Sequence, residues 1–218
     1  MTDDRPSWDD YFLSIACLIS QRSIDPQTKH GCVITFENSV LSTGYNGPPA
    51  GCIDDQIPLN RPFKYSYLEH SESNSITNAA KNGMSINNST FYITGPPCAA
   101  CLRKMINAGA VRIVCGPIKS QCIDEQEQKI IDHLLKMRSD IEVVMIDSYE
   151  NVFGVIDGCM GYLKKKRGAQ KKSDLNPYDL NDVAKLRSPD ACETDTSKLN
   201  PYDLNDVAKL RRSFGEKL

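Results

Sequence analysis

The sequence lacks any apolar run close to the roughly 20 residues that a transmembrane helix needs, although 40% of its residues are hydrophobic. It also lacks a basic segment leading into an apolar one. The N-terminal residues MTDDRPSWDDYF start acidic instead, unlike a secretory signal. The formal net charge is only −2 at pH 7, which gives no global attraction to nucleic acid. We therefore expect no membrane association, no nucleic-acid polymer as partner, and a small-molecule ligand.

The nine cysteines do not have the spacing of a disulfide framework, since their number is odd and most are scattered singly. Cys17, Cys32, Cys115 and Cys159 lie within apolar periodic segments. We expect them to be small buried side chains in a reducing compartment. This predicts a cytoplasmic protein, or one of the host cytoplasm if the source is viral.

Helix and strand signals alternate along the chain after an initial pair of strands. Ser7 and Asp10 form a variant capping box in front of an apolar helix stripe. A tight turn at Asn38-Ser39 is predicted between the first two strands, and residues 46–65 form a long Gly/Pro-rich loop. The predicted helices cover 7–23, start near 71 and 98, and cover 124–137 and 150–163; the predicted strands are 32–37, 40–45, 90–94, 111–116 and 141–146. The pattern predicts an α/β domain with a mixed sheet of about five strands.

The composition changes at KKKRGAQKKS, residues 164–173. Beyond it, LNPYDLNDVAKLR occurs at 175–187 and again, letter for letter, at 199–211. A unit that short cannot form a core, so we interpret 1–163 as the folded domain and 164–218 as a basic linker and flexible tail. The duplicated segment would raise avidity for a protein partner with repeated sites; a tandem duplication without function is the alternative.

One histidine and two cysteines have the spacing of a zinc site. His70 stands at the predicted start of one helix, and Cys98 and Cys101 stand at the start of the next. One imidazole and two thiolates suit zinc and leave a fourth tetrahedral position for water, as in a catalytic site. Cysteines at i and i+3 lie on one helix face, and a helix N-terminus favours thiolates.

Glu72 lies two residues from a ligand, so its carboxylate can face the water without replacing that ligand. Zinc lowers the pKa of its water to about 7, and a neighbouring carboxylate can move the proton to a leaving group. Taken alone, CxxC also fits a redox pair or half of a structural zinc site, but Cys52 and His30 lack the paired spacing of further ligands. The joint His-x-Glu and Pro-Cys-x-x-Cys pattern is the signature of zinc-dependent base deaminases.

The sequence resembles the cytidine deaminase-like superfamily, and within it the deoxycytidylate (dCMP) deaminases, including those of bacteriophages. The resemblance runs from about Trp8 to about Ile146 and rests on WDDYFLSIACLISQRSIDP, STGYNGPPAGCIDD, HSESNSI and PPCAAC. It implies a three-layer α/β/α fold and zinc held by His70, Cys98 and Cys101. Water would add to C4 of cytosine and ammonia would leave, giving dUMP, a precursor of thymidylate.

The resemblance also implies binding residues beyond the zinc ligands. Asn46 would hydrogen-bond the deoxyribose, although Asn-Gly is also an ordinary turn pair. Family members commonly form homo-oligomers, often hexamers, and many take dCTP as activator and dTTP as inhibitor. The substrate-binding residues would be Asn46, Ser71 and Pro97, and the regulatory nucleotide surface would include Gly47, Pro49, Gly51 and Asp54.

Several positions depart from the family pattern. Serines at 71 and 75 replace the usual alanines, and a hydroxyl beside the base would alter which 5-substituted cytosines are accepted. Gly95 suggests a roomier wall, and residues 119–120 are candidates for a phosphate contact. The alternatives left open are a deaminase of another free cytosine nucleotide, such as dCTP or a 5-substituted dCMP, and a non-catalytic zinc-bearing interaction module. An intact Glu72 argues against the second.

Overall fold

A computed structural model describes residues 5–118 and 123–169 of the chain, and of residues 165–169 it describes the backbone alone. Contacts between Cα atoms separate Met1–Lys165 from Lys166–Leu218 as two units. The duplicated segment and residues 119–120 lie outside the described residues. The domain boundary placed between 163 and 164, and the roles given to the tail, stay predictions.

Each predicted helix and strand is present, with ends that differ from the prediction by a few residues at most except in the last helix. That helix was predicted to end near 163 and continues to Ala169. The helices are α1 Trp8–Ser20, α2 Ser71–Lys81, α3 Ala99–Asn107, α4 Glu125–Met137 and α5 Glu150–Ala169. The strands are β1 Gly31–Phe36, β2 Ser39–Tyr45, β3 Ser89–Ile93, β4 Ala110–Cys115 and β5 Glu142–Met145.

The five strands form one mixed sheet with the order β2-β1-β3-β4-β5. β1 is antiparallel to both β2 and β3, whereas β3, β4 and β5 run parallel. The parallel strands are connected through α3 and α4, as parallel pairing requires. The prediction of a mixed five-stranded α/β fold is therefore confirmed.

Side chains alternate between the two faces of the sheet and build a core on each face. On one face Val33, Tyr92 and Val114 pack with Phe12 and other residues of α1 and with Val152 of α5. The opposite face packs against α2, α3 and α4 through Cys32, Ile34, Phe91, Ile93, Ile113 and Cys115. Because both faces are covered, the fold has three layers.

The hairpin between β1 and β2 turns one residue earlier than predicted. Phe36 pairs with Ser39, so Ser39 belongs to β2 and the turn residues are Glu37 and Asn38. Their φ angles are 47° and 60°, and left-handed φ at both central positions is what a two-residue type I′ turn requires. The prediction of a turn at Asn38-Ser39 was wrong because the backbone needs its left-handed pair directly after Phe36.

The predicted cap of α1 is confirmed. Ser7 Oγ accepts a hydrogen bond from the Asp10 backbone N–H at 3.1 Å and donates one to Asp10 Oδ2 at 2.6 Å. The two side chains therefore satisfy each other and the helix start, as in a capping box.

The cysteines predicted to be buried are only partly so. Cys32 and Cys115 are buried and Cys17 is intermediate, but Cys159 is exposed. Val152 of α5 packs into the core, whereas Met160 and Leu163 are half exposed, so this stretch of α5 does not bury Cys159. The seven cysteines of the described ranges are free thiols.

The long loop after β2 is folded back on itself. It contains two short 3-10 helices, Asp54–Gln56 and Phe63–Ser66. Backbone hydrogen bonds of 3.1 and 2.9 Å between Gly47 and Glu69 close its ends. Within the described residues, no helix combines the length and the apolar character needed to cross a membrane.

Candidate metal centre

The three predicted metal ligands lie at the starts of two helices. His70 is the N-cap residue of α2 and Cys98 is the N-cap residue of α3, and neither side chain makes a capping hydrogen bond. Cys101 is buried in the first turn of α3. The ring of His70 and the thiol of Cys98 are therefore not committed to the helix backbone and can bind a metal ion.

The ligand atoms have the spacing of a tetrahedral zinc site. His70 Nδ1 lies 3.6 Å from Cys98 Sγ and 3.5 Å from Cys101 Sγ, and all three ligand atoms lie within 4.8 Å of one another. Tetrahedral zinc with ordinary Zn–N and Zn–S bonds would separate a nitrogen and a sulfur ligand by about 3.6 Å. The residues present therefore fit zinc.

The described residues supply three protein ligands and no fourth. Neither His30 nor Cys52 belongs to the group, and Cys52 is exposed. A structural zinc site has four protein ligands, whereas a catalytic one has three and an open position. The ligand set is therefore of the catalytic type.

Among the metal-free ligands, the Cys101 thiol holds a proton that a bound metal would displace. The hydrogen bond from Cys101 lowers the pKa of the Cys98 thiol to about 3, while the same hydrogen bond and burial raise the pKa of the Cys101 thiol. The hydrogen bond to Cys98 raises the pKa of His70 against the effect of burial. Metal binding therefore releases protons and weakens as the pH falls.

Glu72 is buried in the first turn of α2, with 5% of its surface exposed. It lines the same pocket as His70 and Cys98. The Ser71 hydroxyl donates a hydrogen bond of 2.7 Å to Glu72 Oε2, which leaves Oε1 as the oxygen not held by Ser71. Pro97 is buried directly before Cys98 and does not line the pocket, so its predicted contact with substrate stays a prediction.

A glutamate from a different helix holds the start of α3. The Ala99 backbone N–H donates to Glu127 Oε1 at 2.7 Å, which satisfies one of the free N–H groups of the first turn. The turn that carries Cys98 and Cys101 is thereby tied to α4. The sequence did not reveal this contact because Glu127 occupies the N3 position of α4, where its backbone N–H bonds Asp124 Oδ1 at 2.8 Å and suggests only a local cap.

The pocket over the metal ligands is lined by Asn46 and by residues drawn from 25–30, 61–72 and 95–98. Asn46 Oδ1 accepts from the His30 backbone N–H at 2.7 Å, and Asn46 Nδ2 donates to the Thr28 carbonyl at 2.9 Å. These partners are 16 and 18 residues away, so the side chain does more than form a local turn. One Nδ2 hydrogen remains for a ligand, and the predicted contact with deoxyribose stays a prediction.

His30 is a pocket residue that the sequence did not reveal, because no motif surrounds it. Its ring lines the pocket, and Nδ1 shares a hydrogen bond of 3.0 Å with Thr94 Oγ1. Burial lowers the pKa of His30. The expectation of a roomier wall at Gly95 was wrong, because a Cβ there would collide with the Ile118 carbonyl and approach His30 Cε1.

A buried ion pair, Lys64–Asp25, lies in the lining of the pocket. Lys64 Nζ lies 2.6 Å from Asp25 Oδ2, and the two side chains are only 2% and 4% exposed. Asp25 Oδ1 also accepts from the backbone N–H groups of Gln27 and Thr28 at 2.8 and 3.3 Å. Burial raises the pKa of Asp25, but the hydrogen bonds from Lys64 and the backbone lower it by more.

The residues predicted to form a regulatory surface lie outside this pocket. Gly47 is buried and bonded to Glu69, whereas Pro49, Gly51 and Asp54 are exposed on the same loop. None of them lines the pocket. A nucleotide bound there would not compete for the metal centre, and the regulatory role stays a prediction.

Three comparisons place this geometry among known proteins. The family model described as the cytidine and deoxycytidylate deaminase zinc-binding region matches residues 6–117. Deoxycytidylate deaminases of Pongo abelii and Homo sapiens are 38% and 37% identical over 130 residues, covering 56% of this chain and 72% of each relative. The crystal structure of dCMP deaminase from cyanophage S-TIM5 in complex with dCMP and dUMP is similar with a TM-score of 0.50 and 25% identity. It covers 65% of this chain and 98% of that chain.

Proposed function

The chain belongs to the family defined by the cytidine and deoxycytidylate deaminase zinc-binding region, and from this membership we propose that it converts dCMP and water to dUMP and ammonia. The observation that carries the proposal is the tetrahedral spacing of His70 Nδ1 from the thiols of Cys98 and Cys101. Glu72 lies beside these ligands in the same pocket. Relatives of the chain that bear the name deoxycytidylate deaminase support the choice of substrate.

The residues of the chain have separate parts in this reaction. His70, Cys98 and Cys101 would hold zinc, which would supply the Lewis acidity that activates water at neutral pH. Glu72 accepts a proton from the water that adds to C4 of the cytosine ring and delivers it to the departing amino group. The remaining N–H of Asn46 binds the sugar, and the pocket wall that contains Ser71 confines the base.

Deamination of dCMP by the zinc-loaded full chain, followed by ultraviolet absorbance, tests the proposal. Glu72→Gln keeps the size and polarity of the side chain but removes the proton acceptor. We expect kcat to fall about 100- to 10,000-fold, while the zinc content stays at one ion per chain. Wild-type protein with full zinc and no turnover of dCMP would contradict the proposal, and parallel assays with dCTP and 5-substituted dCMP would then identify the alternative substrate.

We also propose that the exposed part of the long loop, with Pro49, Gly51 and Asp54, takes the regulatory nucleotides dCTP and dTTP. Its position outside the pocket supports regulation rather than competition. Assays of dCMP deamination with and without each nucleotide test this regulation.

The protein acts as a homo-oligomer, hexameric by resemblance, in the cytoplasm. The duplicated tail segment recruits a protein partner. Sedimentation of the full chain tests the oligomeric state, and copurification with the full chain and with a tail-deleted chain tests the role of the tail.

A further inference from the structure

The charged residues of the pocket leave one cation unused. Three carboxylates line it, Asp25, Glu69 and Glu72, together with two cations, Arg61 and Lys64. A nucleoside monophosphate brings a phosphate group with nearly two negative charges into this acidic surrounding. Its binding therefore needs a positive group that no protein carboxylate already neutralises.

Lys64 cannot supply that group. Its ammonium is 2% exposed and lies 2.6 Å from Asp25, which has no other side-chain cation among the described residues. Moving Lys64 to a ligand would leave a buried carboxylate unpaired, at a high cost in free energy. Glu69 pairs with Lys104 at 3.8 Å, and no ion pair joins it to Arg61 among the described residues.

Arg61 has no carboxylate within ion-pair distance in the part of the chain that the structure describes. Its side chain is exposed where the loop lines the pocket, and its guanidinium carbon lies 6.0 Å from the centre of the Tyr65 ring. A guanidinium over an aromatic face is held in place without losing its charge or its N–H donors. Arg61 thus presents an unpaired planar fork at the pocket.

We propose that Arg61 binds the 5′-phosphate of the substrate and makes the site select nucleotides over nucleosides. The inference rests on the proposed function and specifies its substrate class. Two parallel N–H···O bonds from a guanidinium to a phosphate are short and charge-assisted. They act on the phosphate alone, so they favour dCMP over deoxycytidine without taking part in the chemistry at C4.

Comparing substrates with and without the phosphate tests this role. In Arg61→Gln we expect kcat/KM for dCMP to fall about 10- to 100-fold, since hydrogen bonds to a charged group are lost. The value for deoxycytidine stays unchanged. Arg61→Lys keeps the charge but loses the planar fork. Its kcat/KM for dCMP should therefore lie between the values of the wild type and of Arg61→Gln. Arg103→Gln is the matched control, because Arg103 is also exposed but lies outside the pocket, and both substrates should react as with the wild type.

Equilibrium binding separates this inference from the proposed function. Calorimetry with dUMP and deoxyuridine measures the contribution of the phosphate even if no substrate is turned over. We expect the wild type to bind dUMP more tightly and Arg61→Gln to lose most of that difference. The inference is overturned if the wild type binds the two ligands equally, if Arg61→Gln keeps the preference for the phosphate, or if it weakens dUMP and deoxyuridine alike.

Discussion

At the scale of single residues, the position of the Glu72 carboxylate depends on its neighbour Ser71. The Ser71 hydroxyl is fully buried and donates to Glu72 Oε2 at 2.7 Å. A carboxylate with one oxygen held in this way has a preferred rotation about its last bond. The other oxygen is then the one left for proton transfer.

Replacing Ser71 with alanine should therefore affect turnover more than binding. We expect kcat for dCMP to fall about two- to tenfold, the worth of one neutral hydrogen-bond donor, with KM and zinc content unchanged. Ser75→Ala is the control, since the buried Ser75 hydroxyl bonds Cys32 Sγ and the Glu72 carbonyl rather than the carboxylate. Equal kcat values for Ser71→Ala and the wild type would show that Glu72 needs no such support.

The sequence predicted the residues of this site that belong to one local pattern and missed those that do not. His70, Cys98 and Cys101 are identified by spacing along two helix starts, and the structure brings them together. His30, Lys64 and Glu127 reach the site from distant segments, and their immediate neighbours carry no motif. Only the folded chain shows that Lys64 pairs with a carboxylate 39 residues away.

At the scale of secondary-structure elements, the Lys64–Asp25 pair joins the long loop after β2 to the segment between α1 and β1. Lys64 belongs to the 3-10 helix Phe63–Ser66, and Asp25 lies between α1 and β1. Asp25 also binds the Thr28 backbone N–H, and the Thr28 carbonyl accepts from Asn46. One buried pair thus fixes the loop, the segment before β1 and the amide proposed to bind the sugar.

Breaking this pair from one side should be costly. In Lys64→Met we expect the free energy of unfolding to fall by about 3–5 kcal/mol, because the buried Asp25 carboxylate loses its partner. The double variant Lys64→Met/Asp25→Asn should recover much of that loss, since no uncompensated charge remains. Urea unfolding of the two variants measures the difference.

Lys81→Met is a suitable control, since Lys81 is exposed on α2 and its replacement should change stability by less than about 0.5 kcal/mol. If the single and double variants at Lys64 and Asp25 were equally unstable, the loss would come from the missing hydrogen bond of the ammonium rather than from an uncompensated charge. The same result would contradict the role assigned to the ion pair.

The elements themselves were largely predictable because their patterns are local. Apolar spacing of about 3.6 and 2 residues marks helices and strands whatever their partners, and Ser7 with Asp10 marks the start of α1. The turn at Glu37–Asn38 was misplaced because strand register, rather than the preference of Asn38-Ser39, sets which two residues turn. The end of α5 was misplaced because the run of basic residues KKKR after Leu163 was interpreted as a linker. Lysine and arginine are, however, good helix formers.

At the scale of the whole molecule, the sheet topology separates the site from the Asp9–Arg112 ion pair. β1 is antiparallel to its neighbours, so Gly31 at its start lies beside Tyr45 at the end of β2. The ends of β3 and β4 also meet, as Ile93 pairs with Cys115. His30, Asn46 and Cys98, which flank these strand ends, therefore gather at one edge of the sheet, as in other open α/β folds.

The Asp9–Arg112 ion pair lies toward the other edge, at the start of β4. Arg112 donates to both Asp9 oxygens at 2.7 and 2.9 Å, and the Tyr92 hydroxyl donates to Oδ1 at 3.1 Å. The hydrogen bonds from Arg112 lower the pKa of Asp9 from its ordinary value of 3.8. A carboxylate with a lowered pKa stabilises the fold fully above its unfolded pKa, and this contribution is lost as the pH falls through the folded value.

Asp9→Asn should therefore lower stability at pH 7 and flatten its decline in acid. At pH 7 we expect the free energy of unfolding to fall by about 1–2 kcal/mol. This loss is smaller than for a fully buried ion pair because the two side chains are partly exposed. The difference between the variant and the wild type should shrink as the pH falls below 3.8 and through the lowered folded pKa of Asp9. At pH 7, kcat and KM should stay the same because the pocket lies at the opposite edge. Thermal unfolding between pH 3 and 7 measures the stability of both proteins. The control is Asp140→Asn, which removes a charge from the solvent-exposed pair with Arg138 and should behave like the wild type. Parallel curves for Asp9→Asn and the wild type at every pH would mean that the charge of Asp9 contributes nothing to folding and that its bonds to Arg112 act only through geometry.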